Sequence, residues 1–178
     1  MKYFLSCLML MAFDLNAQDA DRVVRAEVVV NARIDVVWEA WTTVAGIKTF
    51  LAPGGKIEPR VFGAYNIYFT PDGKPDPRKA GGNVILAMQP PRMLSFSWDA
   101  PADFPNVSKQ RTSVVVRFKE LEGEKTRVTL IESGWGEGEE WDKVFAYFSS
   151  AWPDIVLARL KYRFEVGPLD WSNLPELK

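Results

Sequence analysis

The stretch EEWDKVFAYFSSAWPDIVLARLKYRFE, residues 139–165, carries Trp141, Phe145, Phe148, Trp152 and Ile155 at spacings of four, three, four and three. That period puts all five on one face of an α-helix, which turns once in about 3.6 residues. Glu139, Glu140 and Asp142 crowd the first turn, where the helix dipole favours negative charge, and Gly167-Pro168 lies just past the end. Pro153 removes a backbone hydrogen bond from the interior, so the helix is expected to kink or split there. An amphipathic helix this long needs an apolar surface to lie on.

The preceding residues supply that surface as strands. From Asp21 to Val30 the pattern alternates, with Val24, Ala26, Val28 and Val30 on one face and Arg25 and Glu27 on the other. The period then changes. Ile34, Val37, Trp38, Trp41, Val44 and Ala45 predict a helix that Gly46 stops, and a short second helical turn over Ile47–Leu51 ends at Pro53-Gly54-Gly55. Strands are predicted at Lys56–Arg60, Ala64–Thr70, Gly82–Gln89, Met93–Trp98, Arg111–Glu120 and Arg127–Ser133, separated by turns such as Phe62-Gly63 and Glu122-Gly123-Glu124. In Met93–Trp98 the large residues Leu94, Phe96 and Trp98 share one face, and Ser95 and Ser97 occupy the other, expected to be solvated. Consecutive strands with short turns pair antiparallel. The class is therefore α+β, with a curved antiparallel sheet wrapped around a long C-terminal helix and two short helices after the first strand.

The 178 residues suit one domain. Lys2, the apolar run Phe4–Phe13 and the ending Leu15-Asn16-Ala17 read as a secretory signal peptide over residues 1–17, leaving 18–178 as the mature domain in a periplasmic or secreted location. The run is too short to cross a bilayer, and no later segment is apolar enough to span one. Cys7, the only cysteine, lies inside the leader and ahead of most of its apolar run, the wrong order for a lipid-modified cysteine; the chain has no histidine. Nucleophiles paired with histidine, cysteine and histidine zinc sites and disulfide frameworks are thereby excluded from the mature chain. A net charge of −1 with scattered Lys and Arg gives no footprint for nucleic acid. No metal or cofactor is called for, and the oligomeric state is unassigned.

Several short segments together resemble a known family. They are Ala32-Arg33-Ile34-Asp35-Val36-Val37-Trp38, Gly81-Gly82-Asn83-Val84-Ile85, Pro90-Pro91-Arg92-Met93-Leu94-Ser95-Phe96-Ser97-Trp98, Thr126-Arg127-Val128-Thr129-Leu130 and the Trp152-Pro153 step. In this order they resemble the START-like (SRPBCC), helix-grip superfamily, and more narrowly bacterial proteins similar to the C-terminal domain of the activator of the ninety-kilodalton heat-shock protein ATPase. Arg33 stands where that family usually has proline, Phe50 where it often has tryptophan, and Ala151 where glycine commonly precedes Trp152.

The resemblance implies a hydrophobic cavity between the sheet and the last helix. Leu94, Phe96, Trp98, Tyr65 and Ile67 from strands, Phe145, Phe148 and Trp152 from the long helix, and Trp41 and Phe50 from the first helical region are the candidate ligand-binding residues. The same side chains would equally fill a solid core. A dry cavity of about 300 Å³ would cost on the order of 7 kcal/mol if left empty, comparable to a domain's whole stability.

Three functional readings stand. The first is an exported binding protein for an apolar small molecule or lipid. The second is an enzyme on a hydrophobic, polyketide-like or aromatic molecule in the same cavity; Glu58, Arg60, Tyr65, Tyr68 and Arg117 are the strand residues that could serve it, each also suited to a solvated face. The third is a protein-interaction or chaperone-associated module. Two other segments have simpler explanations: Glu137, Glu139, Glu140 and Asp142 suit a helix start rather than a cation site, and Gly134-Trp135-Gly136-Glu137-Gly138 lacks the spacing of a phosphate loop and reads as a flexible strand-to-helix connection.

Overall fold

Alternation at the N-terminal end of the domain becomes strand β1 (Val24–Val30), whose Val24, Ala26 and Val30 are buried while Arg25 and Glu27 are exposed. The computed structural model describes residues 22–77 and 82–177. Segment 1–17, read as a signal peptide, and Gly81 lie outside the described residues. The remaining strands are β2 (Gly54–Ile57), β3 (Tyr65–Tyr68), β4 (Ile85–Gln89), β5 (Met93–Trp98), β6 (Thr112–Leu121) and β7 (Lys125–Ser133).

Five of them form an antiparallel sheet in the order β1-β7-β6-β5-β4, and β2 pairs with β3. The two sheets meet at a bridge between Ala64 and Val84, where the Tyr65 N–H donates to the Asn83 carbonyl at 2.8 Å and the Ile85 N–H to that of Gly63 at 2.9 Å. The irregular step between Ile85 and Ala87 shifts the register of β4 on β5.

The first helical region departs from its sequence reading. Helix α1 (Ile34–Thr42) stops at Thr43, ahead of Gly46, and α2 (Val44–Ile47) follows at once. Thr43 adopts an extended backbone and caps α2, its Oγ1 accepting the Gly46 N–H at 2.9 Å. Gly46 is a close-approach residue: a Cβ there would lie 2.4 Å from the Glu39 carbonyl oxygen.

The terminal helix runs through Pro153 as α3 (Glu139–Ser150), a π-helical segment (Ala151–Leu157) and α4 (Ala158–Glu165). A π turn bonds i to i+5 and so opens the ladder that proline interrupts. The wider turn also shifts the buried face. Trp141, Val144 and Phe148 are buried before it, Trp152, Val156 and Leu157 within it and Leu160 after it, while Ile155, placed on the aromatic stripe by sequence, is 41% exposed.

A second correction concerns β5, which is buried on both faces, Ser95 and Ser97 included. Ser97 Oγ accepts the Val84 N–H at 3.0 Å and donates to Asn83 Oδ1 at 3.4 Å, and Asn83 Nδ2 donates to Asp99 Oδ1 at 2.8 Å. These bonds tie the start of β4 to the end of β5.

Candidate functional site

The ten residues expected to face one cavity divide among four places. Trp41, Phe50, Tyr65, Leu94 and Phe96 have no accessible surface. Trp41 packs on Phe50 with ring centroids 5.1 Å apart, Tyr65 stacks on Phe96 at 4.3 Å, and the Tyr65 hydroxyl donates to the Trp41 carbonyl at 3.0 Å. Burial pushes the Tyr65 phenol above its ordinary range, and the Trp41 indole N–H is buried without a hydrogen-bond partner. This layer between sheet and helices is packed solid. Phe145 turns elsewhere, edge-on to Trp135 at 5.2 Å, with the Arg22 guanidinium 5.3 Å from its ring centroid.

Trp98, Phe148 and Trp152 do meet, at the end of the sheet. Trp98 and Trp152 lie 5.4 Å apart, Phe148 stacks on Trp152 at 5.7 Å, and all three line a cleft of about 520 Å³. Its walls add Phe69 from beyond β3, Ile155 and Val156 from the π segment, and Tyr147 and Arg159 from the flanking helices. Trp171 and Leu174 close one side. They are brought there by the C-terminal segment, where the Trp171 Nε1–H donates to the Lys48 carbonyl at 2.6 Å and the Leu169 N–H to that of Thr49 at 3.0 Å. A second cleft of about 540 Å³, lined by Ile67, Asn66, Thr70 and Asn83, shares Phe69, Pro71, Asp76 and Asp99 with the first. Ile67 thus borders a polar neighbour of the aromatic cleft.

Sequence reasoning missed the cleft's outer wall. An isolated tryptophan in the polar tail LDWSNL, 169–174, was the available signal for Trp171. Nothing in the local pattern marked Phe69, Tyr147 or Arg159.

It also missed Glu132. This carboxyl group lies on the inward face of β7 in line with Val128 and Leu130 and has no accessible surface. The Trp152 Nε1–H donates to its Oε2 at 2.5 Å, and Thr112 Oγ1 lies 2.6 Å from its Oε1. Thr112 Oγ1 is also 3.3 Å from the Trp98 carbonyl oxygen. One hydroxyl proton cannot serve both acceptors. A neutral Glu132 resolves the count, because its O–H donates to Thr112 Oγ1, which then donates to the Trp98 carbonyl. Burial raises the Glu132 pKa from 4.5 to about 7, opposed by the N–H that Trp152 donates to it. The cleft's two tryptophans are therefore tied to one buried acid.

The other polar residues noted in the sequence lie apart from the cleft. Glu58 is bridged by Lys56 and Arg60, and Arg117 is exposed. At the start of α3, Glu139 pairs with Lys143, Glu140 accepts the Asn106 backbone N–H at 3.0 Å, and Asp142 pairs with Arg22. In the glycine-containing connection, Gly134 and Gly138 take positive φ of 90° and 102°, and the Trp135 Nε1–H donates to the Glu132 carbonyl at 3.3 Å. No helix among the described residues is long and apolar enough to cross a membrane.

The sequence profile of the family described as activator of Hsp90 ATPase homolog 1-like protein matches residues 31–165. No curated protein matches the sequence. Among solved structures, the Aha1 dimer from Colwellia psychrerythraea is 18% identical with a TM-score of 0.60, the match covering 82% of this chain and 98% of that one. An HSP90 activator from Plasmodium falciparum is 13% identical with a TM-score of 0.61, covering 82% and 96%. CalU16 from Micromonospora echinospora is 20% identical with a TM-score of 0.60, covering 83% and 77%. At these identities the likeness is one of fold, the helix-grip arrangement of a curved sheet and a long C-terminal helix.

Proposed function

From the premise that this chain belongs to the family of activator of Hsp90 ATPase homolog 1-like proteins, whose fold often binds hydrophobic ligands, we propose that it binds an apolar small molecule or lipid in the cleft between the end of β5 and the terminal helix. The observation that carries this reading is the wall of Trp98, Phe148 and Trp152 around about 520 Å³, lying beside a core that is already packed. Apolar surface gathered around a concave space of this size is what small-molecule sites are made of. Residues 1–17, with Lys2 and the apolar run Phe4–Phe13, support export, and an intact mass beginning at Gln18 is the expected result.

Titration with the neutral fluorescent probe N-phenyl-1-naphthylamine tests the binding site. Saturable binding to the wild type is expected, together with a loss of about tenfold in Ile155→Asp, which puts a charge on the exposed cleft wall without touching the packed layer. Absence of saturable binding, or binding indifferent to Ile155→Asp, removes the cleft as the site.

A further inference from the structure

Arg159 is the one cation that lines the aromatic cleft among the described residues. Its guanidinium carbon lies 5.3 Å from the centroid of the Trp171 ring, and it takes part in no ion pair or hydrogen bond among the described residues. Partial burial lowers its basicity, and the only electrostatic contribution that opposes this comes from Tyr147. Asp76, Asp99 and Asp103 also line the cleft, yet none is among the groups that act on Arg159. The cleft therefore carries a partly dehydrated cation where the terminal helix meets the C-terminal segment. A cation that has lost water without gaining an acid leaves its planar fork of donors available to one.

We propose that the cleft takes an amphipathic anion, an apolar or aromatic body bearing one carboxylate or sulfonate group, and that Arg159 holds the anionic end. This rests on the cleft being the binding site, as argued above. The Arg159 guanidinium lies over the Trp171 ring, whose own N–H is committed to the Lys48 carbonyl, so the wall behind Arg159 is anchored. A bidentate contact from the fork is the strongest recognition such a group offers to a carboxylate or sulfonate. With its anionic end at Arg159, the ligand lays its apolar body against Trp98, Phe148 and Trp152.

Two probes that share a chromophore separate this inference from the binding reading itself. 1-Anilinonaphthalene-8-sulfonate carries a sulfonate, and N-phenyl-1-naphthylamine is the same ring system without it. Wild type is expected to bind the sulfonate at least about tenfold more tightly. Arg159→Met, which keeps an apolar stem and removes the charge, should weaken the sulfonate probe about tenfold more than the neutral one and so abolish that preference. Arg159→Lys should retain part of it. If neither probe binds wild type, the cleft reading fails and takes this inference with it. If both bind and Arg159→Met does not weaken the sulfonate selectively, the anion inference alone is overturned. Loss of both probes by an Arg159→Met protein with unchanged circular dichroism would make Arg159 a structural wall and overturn it too.

Discussion

Glu132 shows how one residue links the core to the cleft. Its carboxyl group carries no compensating charge, is buried by the terminal helix, and meets its hydrogen-bond needs as a neutral acid. With a pKa near 7 in the fold against 4.5 outside it, the native state holds a proton that the unfolded state has released between those values. Stability is then full below about pH 4.5, falls as pH rises through the window, and levels off above about pH 7, with a total loss on the order of 3 kcal/mol. Glu132→Gln reproduces the neutral acid, since its amide donates to Thr112 and its carbonyl accepts from Trp152. Urea denaturation should find the variant equal to wild type at about pH 4 and more stable by up to about 3 kcal/mol at pH 8; a pH slope that persists in Glu132→Gln would assign it to other groups. The position was legible in principle, because a glutamate follows Val128 and Leu130 at the same period of two. Its partners were not, since Trp152 and Thr112 reach it only through tertiary packing.

At the scale of the element, the terminal helix marks where periodicity stops being a guide. The spacing of aromatic residues located the helix, its acidic first turn and the core residues Trp141, Phe148 and Trp152. Beyond Pro153 the assumption of 3.6 residues per turn failed, because the π segment moved the buried face from Ile155 to Val156 and Leu157. The same shift carries Ile155 onto the cleft wall. Leu157→Ala is therefore expected to cost about 2–5 kcal/mol, whereas Ile155→Ala should cost under about 1 kcal/mol and act mainly on binding of the neutral probe. Chemical denaturation of the two variants reads the contrast directly. Equal costs would return Ile155 to the core and the segment to an α-helical register. The strands were easier to read, since alternation survives any curvature of the sheet; β5 was misread only on its serine face, where Ser97 bonds to Asn83 and to the Val84 N–H that alternation cannot reveal.

Across the whole molecule, the fold and the cleft depend on different parts of the chain. Sheet and helices enclose a packed layer whose members, among them Trp41, Tyr65, Leu94 and Phe96, have no accessible surface, so the fold does not need the cleft to be filled. The cleft is completed by the segment after α4, held to the loop after α2 by the bonds from Leu169 and Trp171. Trp171→Ala removes one cleft wall and the aromatic ring under Arg159 but leaves the packed layer intact. Its own stability should change little, while a ligand that binds only the folded state should stabilise it less. For wild type, a probe at about 100 times its Kd adds roughly 2.7 kcal/mol, which for a chain of this size is a rise in Tm of about 5–10 °C. Thermal melts with and without the sulfonate probe, at one fixed concentration, are expected to show that rise in wild type and less than half of it in Trp171→Ala. An equal rise in both proteins would mean that the C-terminal segment is not a wall of the site, and the cleft would have to be redrawn without it.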